Sequence, residues 1–152
     1  MPAHAATEPG EAMHLLDPSE IDALVVSCRE NVRYLSGFTG SSAALVIARA
    51  ESILITDSRY VEQAHEEAPG FTVEMAVGAP PTLAAAAAAR IGARRIGFEA
   101  NSVSYEQWEA MGRAMGDTAG VLLIPCRGLV ERLRIIKTPG EMALIERAVE
   151  IA

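Results

Sequence analysis

From Asp57 onward the hydrophobic pattern switches repeatedly between helical and extended spacing, and that alternation confines the chain to few folds. After Asp57-Ser58, residues Tyr60, Val61, Ala64 and Ala68 fall at helical spacing until Pro69-Gly70 stops the run. Phe71–Val77 reads as a strand closed by Gly78-Ala79-Pro80-Pro81, and Thr82–Ile91 as a helix whose alanines combine high propensity with close packing on a sheet. Arg95–Glu99 is a strand, Ser104–Met115 a helix with Trp108, Met111 and Met115 at compatible spacing, and Gly120–Pro125 a further strand. Leu129–Ile136 and Ala143–Ala152 read as closing helices. Ahead of this series, Ala23–Cys28 is a continuous apolar, β-branched run, the pattern of a central strand buried on both faces. Arg29–Leu35 forms a short helix closed by Ser36-Gly37, and Ala43–Arg49 pairs with Ser52–Thr56 as an antiparallel hairpin. The order predicts an α/β sandwich with a mixed sheet, helices on both faces and the hairpin supplying the antiparallel member.

A chain of 152 residues suits one such domain and buries roughly two-thirds of its unfolded surface without disulfide or metal staples. Its 13 basic against 20 acidic residues, a net charge of −7, argue against a nucleic-acid-binding domain. The alanine tract Ala84–Ala89 falls far short of the roughly 20 apolar residues a membrane helix needs. Met1–Gly10 lacks the basic start and apolar stretch of a secretory signal, and Cys28 and Cys126 are lone cysteines in apolar runs. A reducing, cytoplasmic compartment is expected. Residues 1–19, rich in Ala, Pro and Glu, read as a frayed segment with a short helical turn over Glu11–Leu16.

The far end carries a capping box. Thr138 can accept the backbone N–H of Glu141, whose carboxylate reaches back, and Pro139 suits the first helical position. The helix that follows is apolar at Met142, Leu144, Ile145, Ala148, Val149 and Ile151 and reaches Ala152 without a stop signal. The expectation is that the chain continues, with 20–136 as one domain and 137–152 as a junction into the first helix of another.

Within the sequence itself, little supports catalysis. His65-Glu66-Glu67-Ala68-Pro69 begins like the zinc motif H-E-x-x-H, but Pro69 replaces the second histidine. No P-loop, no G-x-G-x-x-G and no G-x-S-x-G elbow is present. The loop Gly37–Ser42 has backbone donors suited to an anion but lacks a lysine. Asp57 ends a strand as a phospho-receiver aspartate would, without the acidic pair or later-strand lysine that chemistry needs. Capping the next helix or pairing with Arg59 is the favoured reading of Asp57. Arg33, Tyr34, Phe38 and Tyr60 bring charge and aromatic area to loops, which suits either ligand recognition or ordinary packing; packing is favoured for Tyr60.

Three segments carry a family resemblance: Asn31-Val32-Arg33-Tyr34-Leu35-Ser36-Gly37-Phe38-Thr39-Gly40-Ser41, then Leu54-Ile55-Thr56-Asp57-Ser58-Arg59-Tyr60, then Leu133–Ile145. In this order they resemble the N-terminal domain of the creatinase/prolidase/aminopeptidase P family. The resemblance implies a three-layer α/β/α sandwich of ribonuclease-H-like type. It also implies a parent metallopeptidase that cleaves before proline in Xaa-Pro peptides with two divalent ions (manganese, cobalt or zinc). Two Asp, one His and two Glu of a pita-bread catalytic domain would hold them. None of those ligands is assignable here, so the chain by itself is expected to be inactive and without metal. The family's N-terminal domain supports homodimer formation and roofs the substrate mouth. Arg33, Tyr34, Phe38 and Thr39 are the residues expected nearest that mouth, and Asp57, Arg59 and Tyr60 are expected as structural or interface members. The segment before Ile21 departs from the family's long basic first helix. Implied partners are the chain's own catalytic domain, a second subunit and proline-containing peptides, with no nucleic acid or membrane. A creatinase-like amidinohydrolase and a non-catalytic peptide- or protein-binding domain are the competing functions.

Overall fold

The computed structural model describes residues 20–49, 51–116, 118 and 120–151; the expected helical turn over Glu11–Leu16 lies outside them. Strand β1 (Ala23–Val26) is the pivot of a six-stranded sheet. On one side it pairs antiparallel with β2 (Ala43–Ala48), which pairs antiparallel with β3 (Ser52–Thr56), and β3 pairs parallel with β4 (Thr72–Met75). On the other side it pairs parallel with β5 (Arg95–Glu99), itself parallel to β6 (Leu122–Cys126). The order β4-β3-β2-β1-β5-β6 makes β2 the antiparallel member of a mixed sheet, as the hairpin reading expects.

Side chains alternate along these strands and so divide into two cores. Ala23, Val25, Ala44, Val46, Ile53, Ile55, Ile96 and Phe98 face α3 (Pro80–Arg90) and α4 (Tyr105–Ala114). Leu24, Val26, Leu45, Ile47 and Leu54 face α1 (Arg29–Ser36), α2 (Val61–Glu67) and α5 (Leu129–Ile135). The result is an α/β/α sandwich. Ala84, Ala85, Ala87 and Ala88 are buried, and their small side chains let α3 lie close against the sheet.

Several boundaries differ from the sequence reading for visible reasons. β1 stops at Val26, two residues early, because the N–H groups of Ser27 and Cys28 bind a side chain instead of a strand. α3 starts at Pro80 because Pro80 and Pro81 fill the first helical positions, where a missing N–H costs nothing. β4 is limited to Thr72–Met75, and β6 starts two residues and ends one residue later than expected. The final helix, α6 (Pro139–Ile151), begins at its capping box: Glu141 N–H reaches Thr138 Oγ1 at 3.3 Å and Thr138 N–H reaches Glu141 Oε2 at 2.8 Å. None of its described residues is buried.

Candidate functional site

The loop between α1 and β2 forms a strap laid along α2. Gly37 ends α1 in the left-handed region, at φ 78°, with its N–H on Arg33 O at 2.8 Å. Ser36 Oγ donates to Val32 O at 2.7 Å and accepts the N–H of Phe38 at 3.2 Å, which turns the chain inward. Phe38 plunges into the α1/α2 core at 1% exposure and meets Tyr60 edge-on, ring centroids 6.0 Å apart. Gly40 lies against that ring, so closely that a Cβ would stand 2.2 Å from Phe38 Cζ.

Polar groups fasten the strap at both ends of α2. Thr39 donates its N–H to Glu67 Oε2 at 2.7 Å and its hydroxyl to Oε1 at 2.8 Å, and Gln63 Nε2 donates to Thr39 Oγ1 at 2.8 Å. Partial burial would push the Glu67 carboxyl up, but these donors and the nearby Arg33 charge hold it below its ordinary value. Toward the helix start, Ser41 Oγ and Tyr60 OH are 2.8 Å apart, and the Arg59 guanidinium lies 5.1 Å from the Tyr60 ring centre. Arg59 also grips Asp57, with Nε to Oδ1 at 3.0 Å and Nη2 to Oδ2 at 2.8 Å. That pairing, helped by Ser42, holds Asp57 far below the usual carboxylate range. Asp57 therefore pairs with Arg59 and does not cap α2, whose preceding residue is Tyr60.

The structure thus brings Arg33, Phe38, Thr39, Asp57, Arg59 and Tyr60 around one helix, with different exposures. Arg33 and Thr39 face solvent, Tyr34 is half-buried, and Phe38 is a core residue that supports the strap from beneath. The anion cradle suggested by the small-residue loop is used internally: the Phe38 N–H binds Ser36, and the Thr39 N–H already holds a carboxylate.

A second polar cluster escaped the sequence reading. Glu99, at the end of β5, is 8% exposed and takes the Ser27 and Cys28 N–H groups on Oε2, both at 2.7 Å. Its Oε1 accepts Asn31 Nδ2 at 2.5 Å. The same amide nitrogen donates to Glu131 Oε1 at 2.8 Å, and Asn31 Oδ1 accepts Arg134 Nη1 at 2.9 Å. One fully buried asparagine therefore joins α1 to β5 and α5 with every polar atom matched. Desolvation pushes Glu99 above its ordinary value despite these donors, and the Glu131 charge adds to the rise. The signal that could have found it is positional: Asn31 sits one turn before Leu35 on the apolar face of α1, and Glu99 directly follows the apolar run Ile96–Phe98 at the end of β5.

Neither cluster fits a metal. Among the described residues no three His, Cys, Asp or Glu side chains converge, and the oxygens of Glu99 are occupied by N–H donors. Burial pushes the Cys28 and Cys126 thiols up, which favours the neutral thiol over a metal-binding thiolate.

Residues 12–136 match the model of the Creatinase/Prolidase N-terminal domain. The chain belongs to that family. This creatinase/prolidase domain is 36% identical over 132 residues to the uncharacterized peptidase YqhT of Bacillus subtilis, covering 87% of this chain and 36% of the relative. It overlays the Xaa-Pro dipeptidase from Bacillus anthracis with a TM-score of 0.80 at 30% identity, over 90% of this chain and 37% of that one. It also overlays the N-terminal domain of the cytoplasmic peptidase PepQ from Mycobacterium tuberculosis, TM-score 0.76 at 32% identity, over 84% of this chain and 98% of that one. The chain thus spans about a third of the length of the curated relative it matches.

Proposed function

We propose that this domain is the non-catalytic amino-terminal part of a cytoplasmic, metal-dependent Xaa-Pro aminopeptidase or dipeptidase. There it roofs the substrate mouth and supports a homodimer. The observation that carries the reading is the family match over residues 12–136, on a fold shared with a dipeptidase and with an isolated peptidase N-terminal domain. In this reading the strap supplies the roof. Exposed Arg33 and Thr39 stand at its surface, half-buried Tyr34 beside them, and Phe38 holds the loop down from within. Asp57, Arg59 and Tyr60 keep the strap in register on α2. The exposed apolar side chains of α6, including Met142, Leu144, Ile145 and Val149, would be covered by the catalytic domain. That domain would supply two divalent ions (manganese, cobalt or zinc) that deliver hydroxide to the scissile carbonyl. The residues described here take no part in that step.

The test is an assay of the longer gene product, with added manganese, on Xaa-Pro dipeptides and on longer peptides with proline second. Cleavage before proline supports the reading, and the preferred peptide length separates dipeptidase from aminopeptidase. The 152-residue chain alone should give no turnover. Hydrolysis of creatine in place of these peptides, or no hydrolysis with any divalent metal, would transfer the domain to an amidinohydrolase or a binding protein.

A further inference from the structure

One edge of the sheet is guarded against further pairing and the other is open. At β6, the Leu122 N–H donates to Arg94 O at 2.7 Å and Cys126 O accepts the Ala100 N–H at 3.0 Å. Leu122, Ile124 and Cys126 therefore turn their backbone groups toward β5, leaving Leu123 and Pro125 on the outer side. Proline has no N–H to offer a further strand. At β4, the Ala76 N–H donates to Thr56 O at 2.7 Å, which places Thr72 and Glu74 on the inner side and Val73 and Met75 on the outer one. No proline or lysine stands in β4, and among the described residues no turn or loop bond reaches the outer groups of Val73 and Met75. Met75 is 60% exposed, and Val77 just beyond the strand is 87% exposed.

A groove lies beside the same edge. α3 packs chiefly over β1, β2 and β3. Between it and β4 is an open space of about 200 Å³ walled by Ile55, Leu83, Ala86 and Ala87. Its charged lining residues, Glu74 and Arg90, are bonded to each other, so the groove presents no unpaired charge.

We infer that the β4 edge and this groove dock an extended, uncharged peptide segment, which adds a strand antiparallel to β4 and lays an aliphatic side chain beside α3. Antiparallel addition lets Val73 and Met75 each exchange both backbone bonds with the residue opposite. Residues directly opposite share a face of the sheet. Glu74 is in register with Ile55, which belongs to the core on the α3 side, so the peptide residue opposite Glu74 points its side chain toward α3 and its N–H to solvent. A second copy of the chain fits less well. The four residues of β4 span about 13 Å, whereas a stable dimer buries roughly 1,200 Å² or more. The proposal stands independently of the peptidase reading.

The 152-residue chain, isotope-labelled for amide NMR, is titrated with acetyl-Thr-Val-Leu-Val-Thr-amide. The Val73 and Met75 N–H signals should shift and exchange more slowly, with a dissociation constant of roughly 0.1–1 mM. Methylating the backbone nitrogens of both valines, which would face β4, should weaken binding about tenfold or more. Methylating that of the leucine, which faces solvent, should change it by less than about twofold. Ala86→Phe, which fills the groove, and a peptide with alanine in place of leucine should each bind about 5- to 30-fold more weakly. The alanine peptide leaves the protein untouched, which separates lost docking from lost folding. The inference is overturned if the two methylated peptides bind alike, or if Val73 and Met75 do not respond up to about 5 mM peptide. Parent-like binding of the alanine peptide overturns it as well. Exchange at Val73 and Met75 that slows with protein concentration alone would mean that the edge pairs with a second copy, and would overturn it too.

Discussion

A methyl group on Gly40 would overlap the Phe38 ring, and that ring has nowhere to go: it is 1% exposed and held edge-on by Tyr60. Gly40→Ala should therefore cost about 2–3 kcal/mol, the scale of overpacking a filled core. Tyr60→Phe, which removes only the hydroxyl shared with Ser41, should cost about 1 kcal/mol. Urea unfolding of the two variants checks the order, and a Gly40→Ala loss under about 0.5 kcal/mol would refute the packing account. Ionisable residues make opposite pH demands. Asp22, held low by the N–H groups of Arg94 and Arg95, contributes stability above the ordinary aspartate range and loses it as pH falls through its folded value. Glu99 is raised, chiefly by desolvation, so the fold binds its proton more tightly than the unfolded chain does. Its contribution is complete below the ordinary glutamate range and is lost as pH rises through the folded value. Stability measured between about pH 3 and 8 should fall less steeply on the acid side in Asp22→Asn, the remaining fall belonging to other lowered carboxylates such as Asp57 and Glu67. Glu99→Gln should lose the opposing slope and also cost about 1–3 kcal/mol, because its new NH₂ would face that of Asn31. An unchanged slope in Glu99→Gln would disprove the Glu99 assignment. Both clusters show why residue roles were only half legible. Arg59 is two positions from Asp57 and the pair could be read directly, whereas Asn31 meets partners 68, 100 and 103 positions away. Phe38, open in sequence between ligand anchor and core, was decided by the Tyr60 ring across the strap.

Elements were legible wherever local chemistry alone defines them. The period changes, the β2–β3 hairpin and the Thr138–Glu141 capping box are written in neighbouring residues, and all are present. Boundaries drifted where a distant group intervened, as when Glu99 took the two N–H groups that would have lengthened β1. The end of α1 is of the first kind, since Gly37 holds a positive φ of 78° that a side chain resists. Gly37→Ala should cost about 1–2 kcal/mol through left-handed strain, with faster amide exchange in the last turn of α1 and in the strap. Gly112→Ala, at an open helical position, should instead stabilise by up to about 1 kcal/mol. The contrast between these two glycines isolates backbone conformation from helix propensity, and equal signs in thermal unfolding would refute it.

At the scale of the whole molecule, an α/β sandwich follows from the element order, but the strand order β4-β3-β2-β1-β5-β6 does not. It depends on long-range pairings such as β1 with β5, whose register spans more than seventy residues and leaves no local trace. The same view explains what α6 does not do. Its Met142, Leu144, Ile145, Val149 and Ile151 are 43–82% exposed, and Ile135 and Ile136 just before it are also open to solvent. Apolar helices on soluble proteins are usually covered, so this one should promote association of the chain with itself or with another domain. The folded core draws no burial from it. Removing residues 137–152 should therefore change the unfolding free energy by less than about 1 kcal/mol, within the range of surface changes. The same deletion should reduce concentration-dependent self-association in sedimentation velocity. A deletion that unfolded the remaining domain would mean that α6 packs on it in solution, and the apolar face would then have no claim on a catalytic partner. If stability is kept and association is lost, α6 is a contact surface waiting for its cover, as the peptidase reading requires.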